Sequence, residues 1–326
     1  MIIHPDLAAL RDDDTPQRLA QDYLAGLRDG WRQSAAAAAI LADLAAFDTS
    51  RPLADYPALA SLFGSDGGAQ TRCFTGSFVA AMARGLGEAP LGHVPVRHFT
   101  DGVMSMLMLA RHGNVTLSLV AMDGRGLARR PRPSTVSFAP MESWEHVLAG
   151  TGTAELVERG AVTSERADLR SRDIVLRPGE TIRCDGGRQA LVVRDVEGCL
   201  VTLRLQRRRK GADVACEYRL ADGALVHQAA GNPRDSRIET MLALLGGMNR
   251  ADAAPHAAAI VLGEGSDGLR WQALRECLAL DTLAGFTALR ELADRDGDTL
   301  AAPARSLRDR LTAAYPQLAG VSPCPV

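Results

Sequence analysis

The chain has 326 residues, of which 46% are apolar, enough to bury one large core or two modest ones. Aromatics are scarce at 4%, so the core relies on aliphatic packing. A net charge of -2 and an isoelectric point near 6.4 give no global field for nucleic acid or an anionic membrane, and neither is expected as a partner. The single lysine, Lys210, lies in the run Arg207-Arg208-Arg209-Lys210, where nothing would depress its pKa for Schiff-base chemistry.

The first residues lack a basic segment followed by an apolar one, and the apolar stretch 35–46 is interrupted by Asp43 and too short for a bilayer. A cytoplasmic protein is therefore expected. The six cysteines form no CxxC pair and read as reduced, with Cys324 on a tail. Thr15-Pro16 reads as an N-cap followed by proline, opening a helix whose buried face is expected to carry Leu19, Tyr23, Leu27 and Trp31. Residues 1–90 are expected to be mainly helical.

From His93 to Gly231 the pattern changes to short β-branched and apolar runs broken by turn signals, the texture of an antiparallel sandwich or barrel. Two hairpins follow if their loops hold two residues. A turn at Asp222-Gly223 sets Tyr218 opposite His227, both pointing inward. A turn at Glu197-Gly198 puts Val192, Val196, Val201 and Leu203 on one face, with Arg194 its one charge. After Asn232-Pro233 the pattern is helical again, beginning with the capping-box spacing of Ser236 and Glu239. The chain thus reads as α+β, with a β domain over 91–232, helices before it, and a helical region over 233–326 suited to a protein partner or self-association.

The segment Ser143-Trp144-Glu145-His146-Val147-Leu148-Ala149-Gly150, followed by Leu176-Arg177-Pro178-Gly179-Glu180, resembles the two signature regions of the cupin superfamily. The resemblance implies a cupin-like β-sandwich or barrel. In that family two histidines and a glutamate in the first region and a histidine in the second hold a divalent metal. Here the histidine pair would fall between Val136 and Met141, where there is none; the glutamate position falls on Ser143 or Glu145, and the last histidine near Gln189 or Ala190.

A different donor set remains conceivable, because a non-haem iron site needs three facial ligands without fixed spacing. His98, His146 and His227 are the candidates, for iron or another divalent metal. With Tyr218 beside His227 they also resemble the cupin-fold thiol dioxygenases. On that reading Tyr218 and Glu145 act at the reaction centre, Glu142 with Glu145 forms an acid/base pair, and Arg97 or Arg194 holds the carboxylate of a small amino-acid-like substrate. The alternative, from another class, is a metal-free cupin-like module for ligand binding, regulation or protein interaction. For each residue a structural role competes: a satisfied buried imidazole for His227, exposed strand ends for Glu142 and Glu145, and cross-strand ion pairs for the arginines.

Overall fold

The computed structural model describes residues 10, 12–47, 51–64, 68–209, 214–231 and 233–320. Lys210, Asn232 and Cys324 lie outside the described residues. The fold is α+β, with antiparallel sheets and helices on both sides of them in sequence.

Helix α1 (Thr15–Gln33) has proline in its first turn as expected, but Thr15 is already helical and Asp14 precedes it without a side-chain cap. The buried face is Ala20, Leu24 and Trp31, while Leu19 and Tyr23 are exposed. Residues four apart advance about 40° around a helix of 3.6 residues per turn, so a strict four-residue spacing drifts off the buried stripe. Helices α2 (Ala38–Ala46), α3 (Pro57–Ala60) and α4 (Gly68–Glu88) follow. A side chain at Gly85 would collide with Leu24 and Leu27, so this glycine lets α1 and α4 approach closely.

The large sheet has seven strands, running β1 (Arg97–Thr100), β2 (Met104–His112), β3 (Val115–Asp123), β8 (Gln189–Arg208), β5 (Met141–Val162) and β6 (Ala167–Leu176), with β7 (Thr181–Asp185) also paired to β5. A short helix α5 (Gly124–Ala128) and strand β4 (Thr135–Phe138) lie between β3 and β5. Strand β8 pairs with β5 along its whole length, from Met141 with Arg208 to Glu158 with Gln189. Both bend midway, where the β5 register shifts around Val147–Thr151 and Gly150 and Gly198 have positive φ. The bend brings the two ends of β5 to one tight turn: Gly186 donates to the carbonyl of Met141, and Arg159 to that of Arg188. Each long strand therefore passes from one layer of a sandwich into the other, the way such corners are made.

This corrects the hairpin expected at Glu197-Gly198, where a left-handed glycine bends the strand without reversing it. Side chains on opposite sides of the bend consequently change face. Val196 joins the inner cluster of Val147, Ala154, Leu176 and Leu200, whereas Leu203 and Leu205 face out onto the N-terminal helices. That outer core gathers Trp31, Phe47, Phe74, Phe78 and Trp144 around the aliphatic side chains of β2 and β3.

The second unit contains Ser137–Pro140, strands β9 (Val214–Arg219, up to Tyr218) and β10 (Leu225–Ala230), and helices α6 (Pro233–Gly247), α7 (Ala254–Leu262), α8 (Asp267–Leu280), α9 (Thr282–Ala293) and α10 (Ala301–Ala314). Arg219–Ala224 belongs with the first unit. Ser236 lies inside α6 and does not cap it, and Glu239 accepts from the backbone of Ala230. Ser266 and Asp281 do cap α8 and α9. The helical core is built on Leu269, Leu274, Cys277, Phe286 and Leu289. No described helix is long and apolar enough to cross a membrane.

Candidate functional site

The two segments that carry the cupin resemblance meet at the β5 bend. Val147 donates its amide to the carbonyl of Glu180, and Gly179 donates back to the carbonyl of Val147. Gly179 has φ +91°, a conformation glycine adopts at little steric penalty, and it turns the chain between β6 and β7. The quoted residues thus act as the clasp that holds the corner of the sandwich.

Strand alternation sorts the candidate side chains into two faces. Glu142, Trp144 and His146 face outward onto the helices. His146 is 1% exposed, and its Nδ1 lies 2.9 Å from the Thr181 hydroxyl. Burial, reinforced by the Arg72 charge, holds its imidazole below the usual histidine range. Glu142 receives hydrogen bonds from Arg207 Nε at 3.1 Å and from Arg183 at 3.2 Å. Burial pushes this carboxyl up, but the hydrogen bonds and charges of Arg207 and Arg183 outweigh it and leave it below the usual carboxylate range. Arg207 stacks 4.1 Å from the Phe47 ring centre and donates to the carbonyl of Arg51 at 2.6 Å. Glu142 is thus an anchor for the helical layer, not one half of an acid/base pair.

The other expected residues are also placed apart. His98 and Arg97 are exposed on the edge strand β1. Arg194 forms the cross-strand ion pair with Glu155, through Nε at 2.8 Å and a second, shorter contact, so its fork is occupied. The β9–β10 loop is longer than two residues, with Gly223 bonded back to Arg219; Tyr218 pairs with Leu225, and a bulge sets the exposed His227 opposite Glu217. Tyr218 is buried with its ring 6.0 Å from that of Phe138. Among the described residues no three His, Cys, Asp or Glu side chains form a group suited to a metal ion. The donor set that the cupin resemblance implies therefore does not fit, and no chemistry is routed through it.

What the inner face presents instead is a patch of polar side chains where a sandwich interior is ordinarily apolar. Glu145 opposes Arg204 on β8 and Ile182 on β7, and Arg204 in turn opposes the buried Ser118 on β3. One rung along, Thr202 sits between Val147 and Val120. Glu145 Oε1 lies 2.9 Å from Arg204 Nε, a cross-strand ion pair on the inner face. The Thr202 hydroxyl is buried without a hydrogen-bond partner. From the opposite layer Arg172, paired with Leu156 on β5, shares the face of Ile174 and Leu176. Burial, then the Glu145 charge, pushes the inward Cys184 thiol up to about 11, against the opposing charges of Arg204 and Arg172, so it is neutral at physiological pH.

A cleft lies between β6 and β7, and its wall residue Ile182 is the β7 partner of Glu145. It has a volume of about 620 Å³ and walls that include Leu156, Arg172, Ile174, Glu180, Ile182, Arg183 and Gln189, and the volume suits a small organic molecule. The Glu145 and Arg204 side chains retain 14% and 20% exposure, so the charge pair is reachable from solvent. Of these residues, sequence reading singled out Glu145 and weighed Gln189; it missed Thr202, Arg204 and Arg172. The available signal was a run of polar residues at alternate positions of strands whose other face is Leu and Val.

No family model matches the sequence, and no curated protein matches it. Among solved structures, vicilin from Capsicum annuum is similar over 38% of this chain and 33% of its own, at 16% identity and a TM-score of 0.26. A cupin superfamily protein from Desulfitobacterium hafniense DCB-2 is similar over 34% of this chain and 83% of its own, at 12% identity and a TM-score of 0.23. A structure described as that of DMSP lyases is similar over 61% of this chain and 97% of its own, at 16% identity and a TM-score of 0.27. The chain thus spans about a third of the vicilin it matches.

Proposed function

We propose that the protein is a small-molecule binding module whose ligand enters between β6 and β7 and is held on the inner face of the sandwich by Arg204, Glu145 and Thr202. The observation that carries this reading is the buried Thr202 hydroxyl, which has no hydrogen-bond partner, beside the Glu145–Arg204 ion pair, whose β7 neighbour Ile182 forms part of the wall of an open cleft. Buried polar groups are nearly always paired, because leaving one unpaired costs about 1–3 kcal/mol. Retaining one is reasonable where an incoming molecule satisfies it. The Arg204–Glu145 pair fits the same reading, since removing charges from water is costly unless further hydrogen bonds complete them.

A thermal-shift screen of the full chain against small carboxylic acids, amino acids, sugars and nucleosides tests the proposal, each compound with and without EDTA. The expected result is concentration-dependent stabilisation by at least one class, insensitive to EDTA, lost in Ile182→Trp, which fills the cleft, and reduced in Thr202→Val. No stabilisation by any class, or stabilisation that survives in both variants, would overturn it. Chelator-sensitive stabilisation would point instead to a metal-dependent protein.

A further inference from the structure

A second cleft, of about 480 Å³, lies within the second unit between the edge strand β10 and helix α8. On α8 its wall carries Gly268, Trp271, Gln272, Arg275 and Glu276, whose three- and four-residue spacings put them on one helical face. With a rise of about 1.5 Å per residue that face is about 12 Å long, room for two six-membered rings end to end. Strand β10 contributes Gln228 and helix α6 contributes Glu239. Glu239 accepts from the Ala230 amide at 3.2 Å, and Gln272 donates to the Glu239 carbonyl at 3.0 Å, so the strand and both helices are fastened to one another at the cleft. Gly246 on α6 leaves space for Glu276, whose Oε2 a Cβ there would overlap.

The polar groups of the lining select among ligand classes. Trp271 is half-buried, and its indole N–H has no acceptor among the described residues; the side chains of Gln228, Arg275 and Glu276 have no partner among them either, so these groups are open to a ligand. The charged lining among the described residues is Glu239, Glu276 and Arg275. A phosphate or other anion meets repulsion from two carboxylates, and a cation meets Arg275 one turn from Trp271 on the same face. An apolar ligand would cover the glutamines and charges without bonding them. A polyhydroxyl compound answers the whole set, because each hydroxyl both donates to a carboxylate and accepts from a guanidinium, amide or indole N–H. The C–H face of a pyranose ring also matches the flat apolar face of an indole.

Independently of the ligand site proposed in the first unit, we infer that this cleft binds a neutral saccharide of one or two rings. A pyranose face packs on Trp271, and the hydroxyls are held by Glu239 and Gln272 at one end and by Arg275 and Glu276 at the other.

Isothermal titration of the full chain at neutral pH with glucose, galactose, mannose, maltose and cellobiose, beside glucose 6-phosphate and choline, tests the inference. At least one neutral sugar is expected to bind in the millimolar range or more tightly, and at least about tenfold more tightly than either charged probe. Trp271→Leu keeps an apolar side chain against the helical core and should weaken that sugar at least about tenfold. Gly268→Phe sets a bulky side chain in the cleft, where a Cβ stands 3.8 Å from Glu239 Oε1, and replaces a poor helix former; it should abolish sugar binding without lowering the urea midpoint. Ile182→Trp should leave sugar binding unchanged. Sugar stabilisation that Gly268→Phe removes belongs to this site, and leaves the test of the cleft between β6 and β7 to the other compound classes. Failure of every sugar to bind at millimolar concentration would overturn the inference, as would tighter binding of glucose 6-phosphate or choline. Sugar binding that survives both Trp271→Leu and Gly268→Phe would overturn it too, and its loss in Ile182→Trp alone would assign the sugar to the first unit.

Discussion

Replacing Thr202 by valine removes a hydroxyl that is buried at 5% exposure with no hydrogen-bond partner, and keeps the β-branched shape that the strand favours. The folded state loses an unsatisfied group worth about 1–3 kcal/mol, while the unfolded state loses one that water satisfies fully. Val147 and Val120 flank the position, so an added methyl meets apolar neighbours. A gain of about 1 kcal/mol in unfolding free energy is the expected outcome, the lower end being chosen because the site is not fully closed. Urea unfolding followed by tryptophan fluorescence in a Trp271→Phe background measures it, since Trp31 and Trp144 both report on the first unit. The midpoint should rise with an unchanged slope. A loss of about 1 kcal/mol or more would show that the hydroxyl already has a partner in the resting protein, and the main support for the ligand site would go with it. Together with weaker ligand binding, a gain would show stability given up for recognition.

Glu142→Ala should destabilise the protein by about 3 kcal/mol, because it strands the buried Arg207 guanidinium, while Glu155→Ala, on the sheet's more exposed outer face, should have a smaller effect; chemical denaturation separates the two. The depressed pKa of Glu142 means that its contribution is present above the unfolded carboxyl pKa and is lost as pH falls through its lower folded value, a loss that Glu142→Gln should remove from an acid unfolding curve. His146 shifts in the same direction: its folded imidazole titrates below the unfolded value of about 6.5, so stability is full above that pH and falls as pH drops through the folded value. His146→Gln should flatten the stability profile measured across this window. Gly150→Ala places a Cβ at 2.1 Å from the Cys199 carbonyl in a left-handed conformation, and should cost several kcal/mol or prevent folding, as read by soluble yield and circular dichroism.

The alternation of helical and strand textures was legible in the residues, because apolar periodicity and turn chemistry act locally. What failed was everything that depended on how a glycine would be used. At Gly198 the chain could reverse or merely bend, and the two outcomes assign Val196 to opposite faces. A similar ambiguity shifted the β9–β10 register and turned His227 outward. The cupin resemblance drew attention to the bent corner of the sandwich, and the residues it quoted there act as backbone fasteners. Glu145 was visible because it stood within the motif. Arg204 and Thr202 were not, because polar residues alternating with Leu203 and Leu205 look like a solvent-facing edge until the bend at Gly198 sets the first half of the same strand in the opposite layer.

That folding over also fixes what the sandwich can tolerate. Since β5 and β8 each serve both layers, sliding one past the other by a single residue would exchange inside for outside in both layers at once: Trp144 would enter the inner face, and Glu145 would be driven against the aromatic helical core. The left-handed glycines at 150 and 198 oppose the slip, because the residue that took either place would have to adopt a positive φ, and at 150 would also meet the Cys199 carbonyl. Alignment of the charge pair is thereby set by the bends and not by the pair itself. Arg204 and Glu145 can be exchanged for other polar residues without losing the register, which makes the inner face a surface whose specificity can change while its scaffold stays fixed.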